Sequence, residues 1–179
     1  KSATTFGLFY EAYRLGYIGN YSYSRYSYTM GNVTGDGGAD VLLYVPTKEQ
    51  LDGMTFAKEG QKEAFWEFIN QDDYLSKHIG EYTTRGGAVM PWRHELNFKF
   101  AHDFYFNIKG KRNALTVGVD VNNIANLLNR NWGNVEQISS SRLLTYKNGT
   151  YTFTLPKWST KASSASTWSA LLSIRYTFN

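Results

Sequence analysis

Four stretches of this chain alternate apolar and polar residues with period two, the mark of a strand with unlike faces. The cleanest is 168–179. Trp168, Ala170, Leu172, Ile174, Tyr176 and Phe178 share one face, and Ser169, Leu171, Ser173, Arg175, Thr177 and Asn179 the other. A second predicted strand, 93–108, carries His94, Leu96, Phe98, Phe100, His102, Phe104, Phe106 and Ile108 on its even face, against Glu95, Asn97, Lys99, Ala101, Asp103, Tyr105 and Asn107. In 113–124, Leu115, Val117, Val119 and Val121 oppose Thr116, Gly118, Asp120 and Asn122. In 4–13, Phe6, Leu8, Tyr10 and Ala12 oppose Thr5, Gly7, Phe9 and Glu11, so the phase of this strand stays open.

The apolar faces of 93–108 and 113–124 have opposite parity, so a hairpin aligns them only through a turn with an even number of residues. A four-residue turn at 109–112 meets this condition. It predicts Phe106 opposite Leu115, Phe104 opposite Val117, Phe100 opposite Val121 and His102 opposite Val119. His102 then sits on an apolar face, and a bulge at 101–103 would turn it away. The other two connections, 14–92 and 125–167, are long. Within them, 61–75 reads as a short amphipathic helix with Phe65, Phe68 and Ile69 on one side, and Asn148-Gly149 as a hairpin turn. Long, short, long is the connection pattern of an outer-membrane barrel, with long loops outside and short turns on the periplasmic side.

Alternation alone fits a soluble β-sandwich equally well. Length and aromatic placement favour the membrane. The even face of 93–108 continues far beyond the usual five or six residues of a soluble strand. Trp168 and Phe178 stand ten residues apart on one face. That is about 33 Å of strand, or roughly 23 Å of height at a 45° tilt, close to an apolar band about 25 Å tall with an aromatic girdle at each rim. Trp92 and Trp168 are the predicted girdle residues. Composition agrees: aromatics make up 17% of the chain and charged residues only 19%. The expected fold is therefore all-β, the C-terminal strands of a transmembrane antiparallel barrel with long extracellular loops, one of them containing a short helix.

Charge and motifs exclude several classes. The net charge of +4 is modest and its basic residues are scattered, which argues against nucleic acid as a partner. No cysteine is present, so neither a disulfide framework nor a thiolate metal site can form. Residues 1–6 do not read as a signal peptide, so a targeting signal is expected upstream. No nucleophile elbow or phosphate loop is found, and His78, His94 and His102 lack metal spacing, so an enzyme is not expected. Asp72-Asp73 reads as a solvated loop. Asn32, Thr34, Asp36 and Asp40 could offer oxygens to calcium, the one candidate cofactor, although the loop lacks a closing bidentate Glu. Tyr21, Tyr23, Tyr26 and Tyr28, interleaved with Ser, could form a substrate-binding surface or simply fill loop contacts.

Four motifs, taken in order, resemble one family. They are Asn32-Val-Thr-Gly-Asp-Gly37 with Asp40-Val-Leu-Leu-Tyr-Val-Pro46; Tyr82 to Arg85 with Pro91-Trp-Arg-His-Glu-Leu96; Val119-Asp-Val-Asn-Asn-Ile-Ala-Asn-Leu-Leu-Asn129; and Leu172-Ser-Ile-Arg-Tyr-Thr-Phe178. Together they resemble the C-terminal portion of the Oar-like TonB-dependent receptors, plugged outer-membrane barrels of about 22 strands. The chain departs from that family where Asn32 and Thr34 replace residues that are usually acidic or Asn, and where Asn179 follows the terminal aromatic.

The resemblance implies a Gram-negative outer-membrane location and a role in substrate uptake. It also implies an assembly signal at Ile174, Tyr176 and Phe178, read by the barrel-assembly machinery. Implied partners are outer-membrane lipid, the rest of the barrel and its plug, and TonB, reached through an N-terminal part this sequence does not contain. Two rivals stay open: a secreted glycan-binding sandwich and a non-transporting adhesin barrel. A barrel leaves Leu96, Phe98, Leu172 and Ile174 facing lipid; a sandwich packs them under a second sheet.

Overall fold

The computed structural model describes residues 1–31 and 40–178. The protein is mostly β, with antiparallel sheets and few helices. Along the chain run β1 (Ser2–Arg14), β2 (Gly16–Ile18), β3 (Tyr21–Tyr23), β4 (Arg25–Tyr26), β5 (Thr29–Gly31) and β6 (Val41–Leu42). Helices α1 (Lys48–Asp52) and α2 (Gln61–Gln71) follow, then β7 (Ala88–Val89), β8 (Trp92–Ile108), β9 (Lys111–Asn122) and α3 (Ile124–Leu128). Last come β10 (Glu136–Ile138), β11 (Arg142–Lys147), β12 (Thr150–Phe153), β13 (Trp158–Thr160) and β14 (Ser169–Thr177). They divide into two compact units: Lys1–Tyr13 with Trp92–Val135 and Thr160–Asn179, and Arg14–Pro91 with Glu136–Ser159.

The first unit is built on one open four-stranded sheet in the order β1-β8-β9-β14. All four predicted strands are present, extended or trimmed by a residue or two at most ends. The β8–β9 register corrects the predicted one. Ile108 lies opposite Lys111, so the turn holds two residues, Lys109 and Gly110, rather than four. Both are left-handed, at φ 51° and 81°, the geometry whose twist matches that of the strands it joins. Phe104 therefore faces Leu115, Phe100 faces Val119, Phe98 faces Val121 and His102 faces Val117. The slip is two residues, so every side chain keeps its predicted face. The pairing runs through 101–103 without a bulge, and His102 stays on the apolar face. The strand predicted over 113–124 ends at Asn122, because Asn123 turns left-handed at φ 54° and α3 begins.

The second unit carries the hydrophobic core. Leu43, Val45, Leu51, Phe65, Ile69, Leu75 and Met90 are fully buried, with Tyr28, Ile138, Leu143 and Leu144 at 1% exposure or less. Helix α2 contributes Phe65 and Ile69, as its periodicity predicts, and Phe68 packs partly buried against the same cluster. Thr47 caps α1 in a reciprocal box with Gln50. The predicted Asn148-Gly149 turn joins β11 to β12, with φ 51° and 80°. The stretch 14–92 and residues 136–159, expected to be separate loops, pair with each other: β10 runs parallel to β2 and β11 parallel to β5.

Candidate functional site

The feature of the sheet unit that stands out is an apolar face that, away from α3, none of the described residues covers. Thr4 and Phe6 on β1 meet His102 and Phe100 on β8, which fixes the open phase of β1: Phe6, Leu8 and Tyr10 extend the even face. Phe6, Leu8, Leu172 and Ile174 are 66–69% exposed. No second sheet covers Leu172 and Ile174 among the described residues, as a sandwich would require. Phe104, Ile108 and Tyr176 are each 48% exposed, and Leu96 and Phe98 are half-buried within the sheet.

Polar groups on this face are matched locally. His102 Nδ1 and Thr4 Oγ1 are 2.7 Å apart, as are His94 Nδ1 and the Tyr10 hydroxyl. The Tyr176 hydroxyl donates to Asn113 Oδ1 at 2.7 Å, and its ring stacks on Phe106. Taking a polar group out of water is costly unless it is hydrogen-bonded, and these pairs supply such a bond to each hydroxyl and to one ring nitrogen of each histidine.

The opposite face is mostly polar and cross-linked, with Phe9 and Leu171 as its exposed apolar exceptions. Lys99 Nζ lies 3.4 Å from Asp120, its direct partner across β8 and β9. Asp103 accepts from Thr116 and Tyr105, and the Arg112 guanidinium sits 4.3 Å above the Tyr105 ring. Arg175, on β14, stands opposite Thr116. Near the start of β8, the buried Arg93 donates to Tyr13 and to the Ala165 carbonyl, and pairs with Glu95 at 2.9 Å. A row of small residues, Ala101, Gly118 and Ser173, crosses β8, β9 and β14 between the charged rows.

The girdle residues Trp92 and Trp168 are half-exposed, at 55% and 45%. Ile174, Tyr176 and Phe178 are exposed at 69%, 48% and 78%; the first two lie on β14, which ends the strand order of the sheet, and Phe178 follows it. The tyrosine run splits. Tyr21 and Tyr23 are exposed on β3, but Tyr26 and Tyr28 belong to the core at 7% and 1%; the packing alternative holds for that pair, which removes it from the candidate binding surface. The Tyr28 hydroxyl donates to Asp72 Oδ2 at 2.6 Å and lies 3.0 Å from the Tyr26 hydroxyl. Burial pushes both phenols above their ordinary range. Asp72 is thus no solvated loop residue: its other oxygen caps the N–H groups of Tyr74 and Leu75. Asp-x-x-Leu opening a short helical turn was the available signal for that role.

Asn32, Thr34 and Asp36 lie outside the described residues. Asp40 is held by Arg142 through both carboxylate oxygens, at 2.7 and 2.9 Å, and one oxygen also accepts from Thr29. Its charge is therefore already matched by a guanidinium. Among the described residues, no group of three or more His, Cys, Asp or Glu side chains is placed to hold a metal. His78 is engaged with the Tyr74 carbonyl.

Compared with models of known protein families, with curated proteins and with solved structures, the chain matches none.

Proposed function

We propose that this chain forms part of the wall and outer loops of a transmembrane β-barrel in a Gram-negative outer membrane, in a receptor of the TonB-dependent class. The carrying observation is the contrast between the two faces of one sheet. One face is mostly apolar and, away from α3, uncovered by the described residues, with its polar groups paired to one another; the other is mostly polar and cross-linked. A lipid-facing wall around a wet lumen needs that division. The narrower receptor reading rests on the order of the four family-like motifs. In this reading Ile174, Tyr176 and Phe178 are the strand end that the assembly machinery engages. Tyr21 and Tyr23 are exposed aromatics available for substrate contact, and transport itself is driven through a plug and TonB.

The lack of native cysteine makes the wall directly testable. Single cysteines at Leu172, Ser173, Ile174 and Arg175 are probed in membranes with a water-soluble and a lipid-soluble thiol reagent. Leu172→Cys and Ile174→Cys should resist the aqueous reagent and take the lipid-phase one, with Ser173→Cys and Arg175→Cys reversed. Equal aqueous labelling at all four positions refutes a lipid-facing wall. Loss of uptake by the full-length receptor on TonB deletion tests the narrower claim.

A further inference from the structure

Beside the start of β8, the apolar face deepens into a cleft of about 220 Å³. Tyr10, His94 and Leu96 line it from the sheet, and Ala125, Leu128 and Trp132 from α3 and the turn after it. We infer that this cleft holds one acyl chain of a membrane lipid, near the level where the chain meets its headgroup. The inference rests on the proposed lipid-facing reading of the sheet and specifies one seat within it.

Three observations carry it. First, the cleft offers hydrocarbon a surface with little polarity. Its imidazole and phenol are hydrogen-bonded to each other. Glu95, which also lines it, is bound by Arg93 at 2.9 Å. Second, the cleft is continuous with the wall: Leu96 begins the row that runs on through Phe98 and Phe100. Trp132 and the nearby Trp92 are both 55% exposed, and indole rings favour the headgroup boundary. The volume is below the roughly 300 Å³ at which pockets for whole small molecules begin, so it suits a segment of a single chain.

Third, the cleft is held open. The Asn123 backbone N–H donates to Asn97 Oδ1 at 2.8 Å, and its amide donates to the Gly133 carbonyl at 3.0 Å. The Asn126 amide donates to the carbonyls of Arg130 and Trp132. Gly133 is left-handed at φ 63°, and a Cβ there would collide with the Asn123 side chain. These bonds fix α3 and the turn carrying Trp132, so Leu128 stays 72% exposed rather than folding onto the sheet.

The test places the full-length protein in nanodiscs containing a phospholipid with a photoactivatable group on one acyl chain, and maps adducts by peptide mass spectrometry. Wild type should label within 125–132 as well as along β14. Ala125→Trp fills the cleft and should reduce the 125–132 adducts about tenfold, the effect of a loss of roughly 1.4 kcal/mol in binding, while adducts at Leu172 and Ile174 stay unchanged. Leu96→Trp fills the cleft from the sheet side and serves if Ala125→Trp misfolds. Labelling of 125–132 that is absent from wild type, or unaffected by both substitutions, overturns the cleft while leaving the wall standing. Absence of adducts from β14 as well overturns the wall and the cleft together.

Discussion

The two units of this protein use similar residues to opposite ends. In the core unit, Phe65, Ile69 and Leu75 are fully buried. In the sheet unit, Phe6, Leu172 and Ile174 lie on a regular, well-paired sheet and remain mostly exposed. Both units are built on paired strands, so the difference lies in what covers each apolar surface. The core unit buries its apolar side chains against one another; those of the sheet stay uncovered by the described residues.

That comparison predicts different responses to the same kind of substitution. The largest effect is truncation in the core. Phe65→Ala should cost about 3–5 kcal/mol, the usual cost of an aromatic deleted from a core, whereas Leu172→Ala, which opens no cavity in fluid lipid, should cost only its transfer free energy, about 1–2 kcal/mol. Denaturant unfolding of the two variants measures both, and equal costs would erase the distinction between the units. Next comes charge. Ile174→Arg should cost about 2–4 kcal/mol in a bilayer, as an arginine does near the midplane of a barrel's lipid face. Ser173→Arg, one residue along on the opposite face, should be close to neutral. Folding into lipid vesicles, followed by heat-modifiable gel mobility, reports both.

Alkali should probe the core unit through its buried phenols. The folded pKa values of Tyr26 and Tyr28 lie above the ordinary 10.0. Above that pH the unfolded chain gives up protons that the folded one retains, so stability is intact below about pH 10 and falls as pH rises past it. The slope is at most about 1.4 kcal/mol per pH unit for each phenol. Tyr28→Phe should flatten that fall, read as the melting temperature between pH 9 and 11. The smallest effect is one the units should share. Gly110→Ala and Gly149→Ala each force an alanine into a left-handed turn, at a cost of about 1 kcal/mol in either unit.

The sheet was legible in sequence because alternation is a local signal: the faces of β8, β9 and β14 can be read off residue by residue. Its register was legible only to parity, since a two-residue and a four-residue turn present the same faces, and only the left-handed pair Lys109-Gly110 decides between them. The core unit was mostly illegible. Helix α2 and the Asn148-Gly149 turn announce themselves locally, but β2 meets β10, and β5 meets β11, across most of the chain, with no signature in either short strand. For the same reason Tyr21 and Tyr28 look alike in sequence. What separates them is Asp72 and Phe68 arriving from α2 and the turn after it to close over one and not the other. The acyl cleft was hidden too, because it depends on Asn123 reversing the chain where the alternation suggested that the strand ran on.

The parallel pairing of Gly16 with Glu136 also sets an order of events. A hairpin such as β11–β12 can close within microseconds of its residues becoming free. The parallel pairs must wait until 136–147 has been synthesised, and they bear the entropy of closing a very long loop. During that interval Leu43, Val45 and Met90 lack Ile138, Leu143, Leu144 and Phe153, which complete their cluster. A chain arrested after about residue 130 should therefore leave the early half vulnerable to proteases, although most of its sequence is already in place.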